Sequence, residues 1–392
     1  MLRPIRVVIV DDSTLMQRVL TGLLEQDTAI QIIGTASNGR DAIALVERLR
    51  PDVVIMDVHM PIMDGLETTA HLMATCPTPI LVLTALAQYD VDITFKMLGA
   101  GALDVVEKPR DDKPLALARQ SHDLIRRVKL LARVKVVRHL RGRKRSEEAE
   151  PHIGTRFTSP ALTNPAVTNP ALQRRGHEAP AVLAERRPNA AANATRDSGF
   201  PVLIIGASTG GPRVVNQILS SLPSGFPAAV VVVQHIAEGF SAGMAEWLGL
   251  GCRLPVVVAT EHLVVKPGQV LIAPDRSDLL LEAGGIVHLS KSALLLQRPS
   301  IDVAMQAAAA VFGRRCTGVL LTGMGRDGAY GMLTVRRAGG HTIAQDQDSS
   351  AIFGMPKAAI ELGAAAEVLP AAQIAGRLIE LVRTTTATPI SK

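Results

Sequence analysis

Ser208 stands in Gly206-Ala207-Ser208-Thr209-Gly210, a G-x-S-x-G turn that follows the aliphatic run Val202-Leu203-Ile204-Ile205. Such a turn lifts a serine hydroxyl clear of a sheet and leaves backbone N–H groups beside it to receive an oxyanion. His235 closes a second aliphatic run, Val230 to Val233, after Gln234; a histidine at that strand end is placed to be the base of the serine. Asp327 lies in the glycine-rich stretch Gly323-Met324-Gly325-Arg326-Asp327-Gly328, where a carboxylate can orient a histidine and hold its tautomer. Asp302, Asp346 and Asp348 are rivals in looser surroundings, and helix capping is the competing use of Asp327. Spacing alone leaves open a glycine turn that binds phosphate or only packs. A dinucleotide site would want glycine at 208 and an acid at the end of the second strand, and the chain has Ser208 and Gln234-His235 there.

A second constellation lies near the N-terminus. Asp11 and Asp12 follow Val7-Val8-Ile9-Val10, Asp57 ends Val53-Val54-Ile55-Met56, Thr84 ends Ile80-Leu81-Val82-Leu83, and Lys108 follows Val105-Val106-Glu107. Open α/β sheets place ligands at the carboxyl ends of their strands, so these groups converge. Three close carboxylates repel unless a cation sits among them, and a hard oxygen set suits Mg²⁺. Thr84 and Lys108 suit phosphoryl oxygens, which makes Asp57 the nucleophile of a phosphoryl-acceptor site.

The elements that must position these groups alternate strand and helix. Five β/α units are expected over 4–125 as one domain, and a doubly wound parallel α/β domain over 200–385, with a tail at 386–392. Between them, 126–199 reads as a basic helix extension and a flexible linker rich in Ala, Pro, Asn and Thr. Five short runs, 255–259, 262–265, 268–274, 279–282 and 286–289, suggest an antiparallel excursion. The net charge of +6 is local: residues 126–145 hold ten Lys and Arg and no acid. No aromatic residue interleaves with them, which argues against nucleic acid as a partner. Three scattered cysteines fit a reducing compartment, and Cys316, before an aliphatic run, reads as a packed thiol. No apolar run approaches the length of a membrane span, so a cytoplasmic protein without membrane insertion is expected.

The N-terminal residues closely resemble the receiver domain of two-component response regulators. That resemblance implies that a histidine kinase phosphorylates Asp57, that Asp11, Asp12, Asp57 and the backbone carbonyl of His59 hold Mg²⁺, and that Thr84 and Lys108 act as the switch. Receivers often carry an aromatic residue three positions before the lysine; here it is Val105. The order Ser, His, Asp departs from the α/β-hydrolases. Residues 200–385 resemble instead the catalytic domain of chemotaxis protein-glutamate methylesterases, through Ile205–Gly211, Gln234-His235, Arg298–Val303, Leu321–Ala329, Gln345-Asp346 and Phe353–Pro356. The resemblance implies a serine esterase acting on glutamate γ-methyl esters of chemoreceptor helices, with deamidation of particular glutamines, and with the Met324 backbone N–H and Thr209 supporting the oxyanion. It implies no cofactor for the ester step, and control through Asp57. Two other classes stay open on residues alone: a phospho-regulated binding module without catalysis, and a nucleotide-dependent enzyme.

Overall fold

The computed structural model of the protein describes residues 3–85, 88–109, 114–134, 136, 199–291 and 298–387. The expected flexible linker and the basic run at 141–145 lie outside them.

The N-terminal sheet holds five parallel strands: β1 (Ile5–Val10), β2 (Ile30–Ala36), β3 (Val53–Asp57), β4 (Ile80–Thr84) and β5 (Asp104–Glu107), in the order β2-β1-β3-β4-β5. Helices α1 (Thr14–Leu24), α2 (Gly39–Leu49), α3 (Gly65–Thr75), α4 (Gln88–Ala100) and α5 (Pro114–Leu131) connect and cover it. Side chains alternate across each strand: Val7 and Ile9 join the layer of Leu20, Leu24 and Val128, while Val8 and Val10 join that of Val46, Leu72 and Phe95. With both faces covered, β3 and β4 are buried throughout, which explains unbroken apolar runs. Side-chain oxygens of Ser13, Asn38 and Asp64 cap α1, α2 and α3. Helix α5 crosses residue 125 and ends at Leu131.

The C-terminal sheet has seven parallel strands in the order β14-β13-β12-β6-β7-β9-β8. In chain order its elements are β6 (Val202–Ala207), α6 (Gly211–Ser220), β7 (Ala229–Gln234), α7 (Ser241–Gly251), β8 (Val256–Val258) and β9 (Val270–Ile272). The hairpin β10 (Asp278–Glu282) and β11 (Ile286–Ser290) follows, then α8 (Ile301–Phe312), a short 3₁₀ turn, β12 (Cys316–Leu320) and α9 (Ala329–Arg337). β13 (His341–Gln345), α10 (Met355–Glu361), β14 (Glu367–Leu369) and α11 (Ala371–Ala387) complete the domain.

The antiparallel part is narrower than the five short runs suggested. Among the described residues, only β10 and β11 pair antiparallel as strands; β8 and β9 join the parallel sheet, and 262–265 contributes a single bridge, Val264 to Ile286. Buried on every residue, β9 cannot serve as half of an exposed ribbon, and parallel pairing with β7 satisfies it. The chain turns back at β6, which lies between β12 and β7, so the loops after these three strands face one another.

Candidate functional site

Ser208 follows β6 and is 8% exposed. Its N–H donates to the Thr322 carbonyl (3.0 Å), and its own carbonyl accepts from the Gly211 N–H (2.7 Å). Thr322 ties the turn further by donating its hydroxyl to the Thr209 carbonyl (3.0 Å), and its N–H is held by buried Gln345 (2.8 Å). Gly210 has φ +76°, and a Cβ there would come within 2.6 Å of Ala351, so only glycine makes the turn. The N–H groups of Ser208 and Gly211 donate to backbone carbonyls of the C-terminal domain, which leaves neither for a phosphate, and that of Gly210 is taken by the Leu103 carbonyl.

His235 is held at the end of β7 by its N–H to the Ala207 carbonyl (2.9 Å). Its Nε2 lies 2.8 Å from Asp327 Oδ2, and its Nδ1 is buried with no hydrogen-bond partner among the described residues. The serine and the histidine share one cavity of about 110 Å³, lined also by Thr209, Met324, Arg298 and Arg127. The Ser208 hydroxyl does not close a bond to the ring here; such contacts are often long in the absence of substrate.

Asp327 contacts both His235 and the start of a helix. Besides His235, its carboxylate accepts the backbone N–H groups of Ile301 (2.8 Å), Asp302 (3.0 Å) and Gly328 (3.1 Å) and the Ser300 hydroxyl (3.1 Å). It therefore caps the start of α8, a helix it does not belong to, as well as orienting the histidine. Burial pushes its carboxyl up, but the bond to His235, the imidazole charge and the α8 N–H groups outweigh that and hold it below the usual range.

Asp302, beside it, is pushed the other way: burial, reinforced by the Asp327 charge, raises it to about 7. Between about pH 4 and about pH 7 the folded chain keeps a proton there that the unfolded chain has lost, so stability falls as pH rises through that window. Asp327, with its lowered carboxyl, acts below it. Asp302→Asn keeps an oxygen for the Gly331 N–H that Asp302 accepts (2.6 Å) and removes the titration. Its melting temperature is expected to gain on the parent's between pH 5 and pH 8, at roughly 2–4 °C per kcal/mol. Comparison with the parent separates Asp302 from Asp57 and Asp278, also raised by burial; a constant gap in thermal unfolding across these pH values would refute the assignment.

The N-terminal groups also converge. Asp11, Asp12 and Asp57 offer ligand atoms within 4.8 Å of one another. Lys108 Nζ lies 2.8 Å from both Asp11 Oδ2 and Asp57 Oδ2, and its N–H donates to the Thr84 carbonyl (2.7 Å). Asp57 Oδ1 accepts from Val58 N–H (2.8 Å) and Asp11 Oδ1 from Ser13 N–H (2.9 Å). One ammonium among three carboxylates leaves the donor set acidic, oxygen-only and able to take a divalent cation. His59, in the loop after β3, has its side chain exposed, and Val105 is buried.

Sequence reasoning did not find the contacts between the N-terminal sheet and the serine turn. Thr209 Oγ1 donates to Asp104 Oδ2 (2.8 Å), and Gly210 N–H donates to the Leu103 carbonyl (3.0 Å). Arg127 bridges Asp104 (2.6 Å) and Asp123 (2.7 Å) at the mouth of the same cavity. Nearby, Phe95 of α4 stacks on Trp247 of α7 with ring centroids 5.5 Å apart. The Thr209 hydroxyl is thus engaged by Asp104 in this state. Cys316 is a packed thiol as expected: burial pushes it up to about 12. Among the described residues, no helix is long and apolar enough to cross a membrane.

Comparison with known proteins places these geometries in a family. Residues 203–378 match the CheB methylesterase family and residues 7–119 the response regulator receiver domain. A protein-glutamate methylesterase/protein-glutamine glutaminase of Anaeromyxobacter dehalogenans is 43% identical over 97% of this chain and 98% of its own length. One from Symbiobacterium thermophilum is 36% identical with the same two coverages. The crystal structure of the Thermotoga maritima CheB methylesterase catalytic domain is 43% identical, covering 47% of this chain and 99% of its own, with a TM-score of 0.46. With a receiver ahead of a methylesterase domain and relatives matched over nearly their whole length, the chain belongs to the CheB-type protein-glutamate methylesterase/protein-glutamine glutaminase family.

Proposed function

We propose that the chain is a cytoplasmic serine esterase, switched by phosphorylation, that hydrolyses glutamate γ-methyl esters on chemoreceptor signalling helices and deamidates glutamines there. The observation that carries the reading is the 2.8 Å bond to Asp327 from Nε2 of His235, which lines one cavity with Ser208. With Nε2 bound to the carboxylate, Nδ1 is the nitrogen left to take the Ser208 proton. The serine oxygen attacks the ester carbonyl, and the Met324 N–H, with Thr209 nearby, supports the oxyanion. The histidine passes its proton to the departing methanol, water activated by the same ring cleaves the acyl-enzyme, and glutamate is released. From a glutamine the leaving group is ammonia. The ester step needs no cofactor.

In the receiver, residues 4–125 in this reading, Asp57 attacks the phosphoryl group of a phosphohistidine on a chemotaxis kinase and becomes an acyl phosphate. Asp11, Asp12, Asp57 and the His59 carbonyl would hold Mg²⁺, which would offset charge on the phosphoryl oxygens, while Thr84 and Lys108 hold those oxygens. Residues 126–199 are the connector, 200–385 the catalytic domain and 386–392 a tail. A cavity of about 110 Å³ cannot admit a receptor helix about 10 Å across while Asp104 and Leu103 engage Thr209 and Gly210. Release of those contacts on Asp57 phosphorylation opens the cleft.

The test is methanol release from a methylated receptor signalling fragment, with and without acetyl phosphate and Mg²⁺. Release that rises with phosphodonor in the parent, and stays at the low basal rate in Asp57→Asn, is expected. An unchanged response in Asp57→Asn would refute control through that residue, and no release in any condition would favour the binding-module reading.

A further inference from the structure

Gln234, the last residue of β7, is 3% exposed and belongs to no step of the reaction above. Its Nε2 donates to the Ser208 carbonyl (2.9 Å) and to the His235 carbonyl (2.9 Å). Both protons of one buried amide are thus spent on the backbone carbonyls of the nucleophile and of the base. The amide orientation is fixed by chemistry: turned over, Oε1 would confront two carbonyl oxygens, an acceptor against acceptors. Its Oε1 packs on the turn instead, so close that a Cβ at Gly211 would come within 2.5 Å of it. Ser208 and His235 directly follow adjacent strands paired in parallel, with Ala207 opposite Gln234 at the end of the ladder. Besides the bond from the His235 N–H to the Ala207 carbonyl (2.9 Å), this side chain ties the two loops together.

We propose that Gln234 is a positioning residue that sets the separation of Ser208 and His235 by bridging their carbonyls. The inference rests on the nucleophile and base assigned above. Acyl transfer is sensitive to that separation: a misplacement of about 1 Å can cost about 10²-fold in rate. Substrate binding draws on the wider cleft, so the loss should fall on kcat rather than KM. Gln234→Met fills the same volume with no donor. Gln234→Glu is isosteric; ionised, it turns a carboxylate on two carbonyls, and protonated it restores one O–H donor.

Methanol release by the phosphodonor-activated full chain is measured for the parent, both variants and Ser208→Ala, each confirmed folded by a thermal midpoint above the assay temperature. Both Gln234 variants are expected to lose about 10- to 100-fold in kcat with KM nearly unchanged. The ratio of Gln234→Glu to parent kcat should rise as pH falls, because acid returns a donor to that variant and none to Gln234→Met. Unchanged kcat in both variants, with Ser208→Ala inactive, overturns the positioning role alone. A loss that is the same at every pH in the Glu variant overturns the hydrogen-bond basis and leaves Gln234 a packing residue. Turnover retained by Ser208→Ala would instead overturn the nucleophile on which the inference stands.

Discussion

Ser208→Ala is expected to lower phosphodonor-activated methanol release by about 10⁴-fold or more, the loss typical when a serine hydrolase loses its nucleophile. Other candidate nucleophiles are poorly placed to substitute. Cys316 is fully buried in β12 with its thiol raised to about 12, and the Thr209 hydroxyl is bonded to Asp104. The substitution should leave the fold intact, since the turn is held by backbone bonds from Ser208 N–H and to its carbonyl rather than by the hydroxyl. Phosphorylation of Asp57 by acetyl phosphate is expected to persist, because its chemistry depends on Asp11, Lys108 and the carboxylate itself. Residual turnover above about 1% of the parent would remove Ser208 as nucleophile, given the size of loss expected.

The positions of Ser208, His235 and Asp57 could be read from the chain because parallel α/β sheets end their buried strands at one edge, and a polar residue closing an apolar run marks that edge. The same logic reached Asp11, Thr84 and Lys108. Several other partners supplied from elsewhere in the chain it did not reach. The capping of α8 by Asp327 joins residues 25 and 26 positions apart, and no local pattern announces it. Gln234 reads in the sequence as part of a strand-end motif with no role of its own until its amide is seen turned back over both loops. β8 and β9, three residues each, are too short for their period to say whether they pair parallel or antiparallel. The docking of Asp104 and Leu103 on the serine turn is tertiary throughout. It involves strand-end groups whose hydrogen-bonding needs any loop or water could have met, so composition carries no sign of it.

Asp327→Asn is expected to lower kcat by about 10³- to 10⁴-fold, through the tautomer of His235 rather than through lost charge alone. The carboxylate has two unequal sides. Oδ1 accepts three donors, from Ser300, Asp302 and Gly328, and Oδ2 accepts Ile301 N–H and His235 Nε2. An asparagine must put its NH₂ on one side, and placing it toward Oδ1 would confront three donors. The amide oxygen therefore takes the Oδ1 place and the NH₂ faces His235. It then donates to Nε2, which must become the acceptor, and the ring proton moves to Nδ1, the nitrogen left to meet Ser208. A base whose free nitrogen carries a proton cannot take another, so the loss appears in kcat while KM changes little. The Ile301 N–H also loses its acceptor, at a cost of about 1–3 kcal/mol, so a lower melting temperature should accompany the kinetic defect. Asp327→Ala separates the two effects: it removes the carboxylate from the start of α8, leaving Ser300 as its cap, yet leaves the ring free to adopt the productive tautomer. If the tautomer governs the rate, Asp327→Ala should be the less stable variant and no slower than Asp327→Asn. An alanine variant both less stable and markedly slower would show that the carboxylate acts mainly by holding α8 and the imidazole in place.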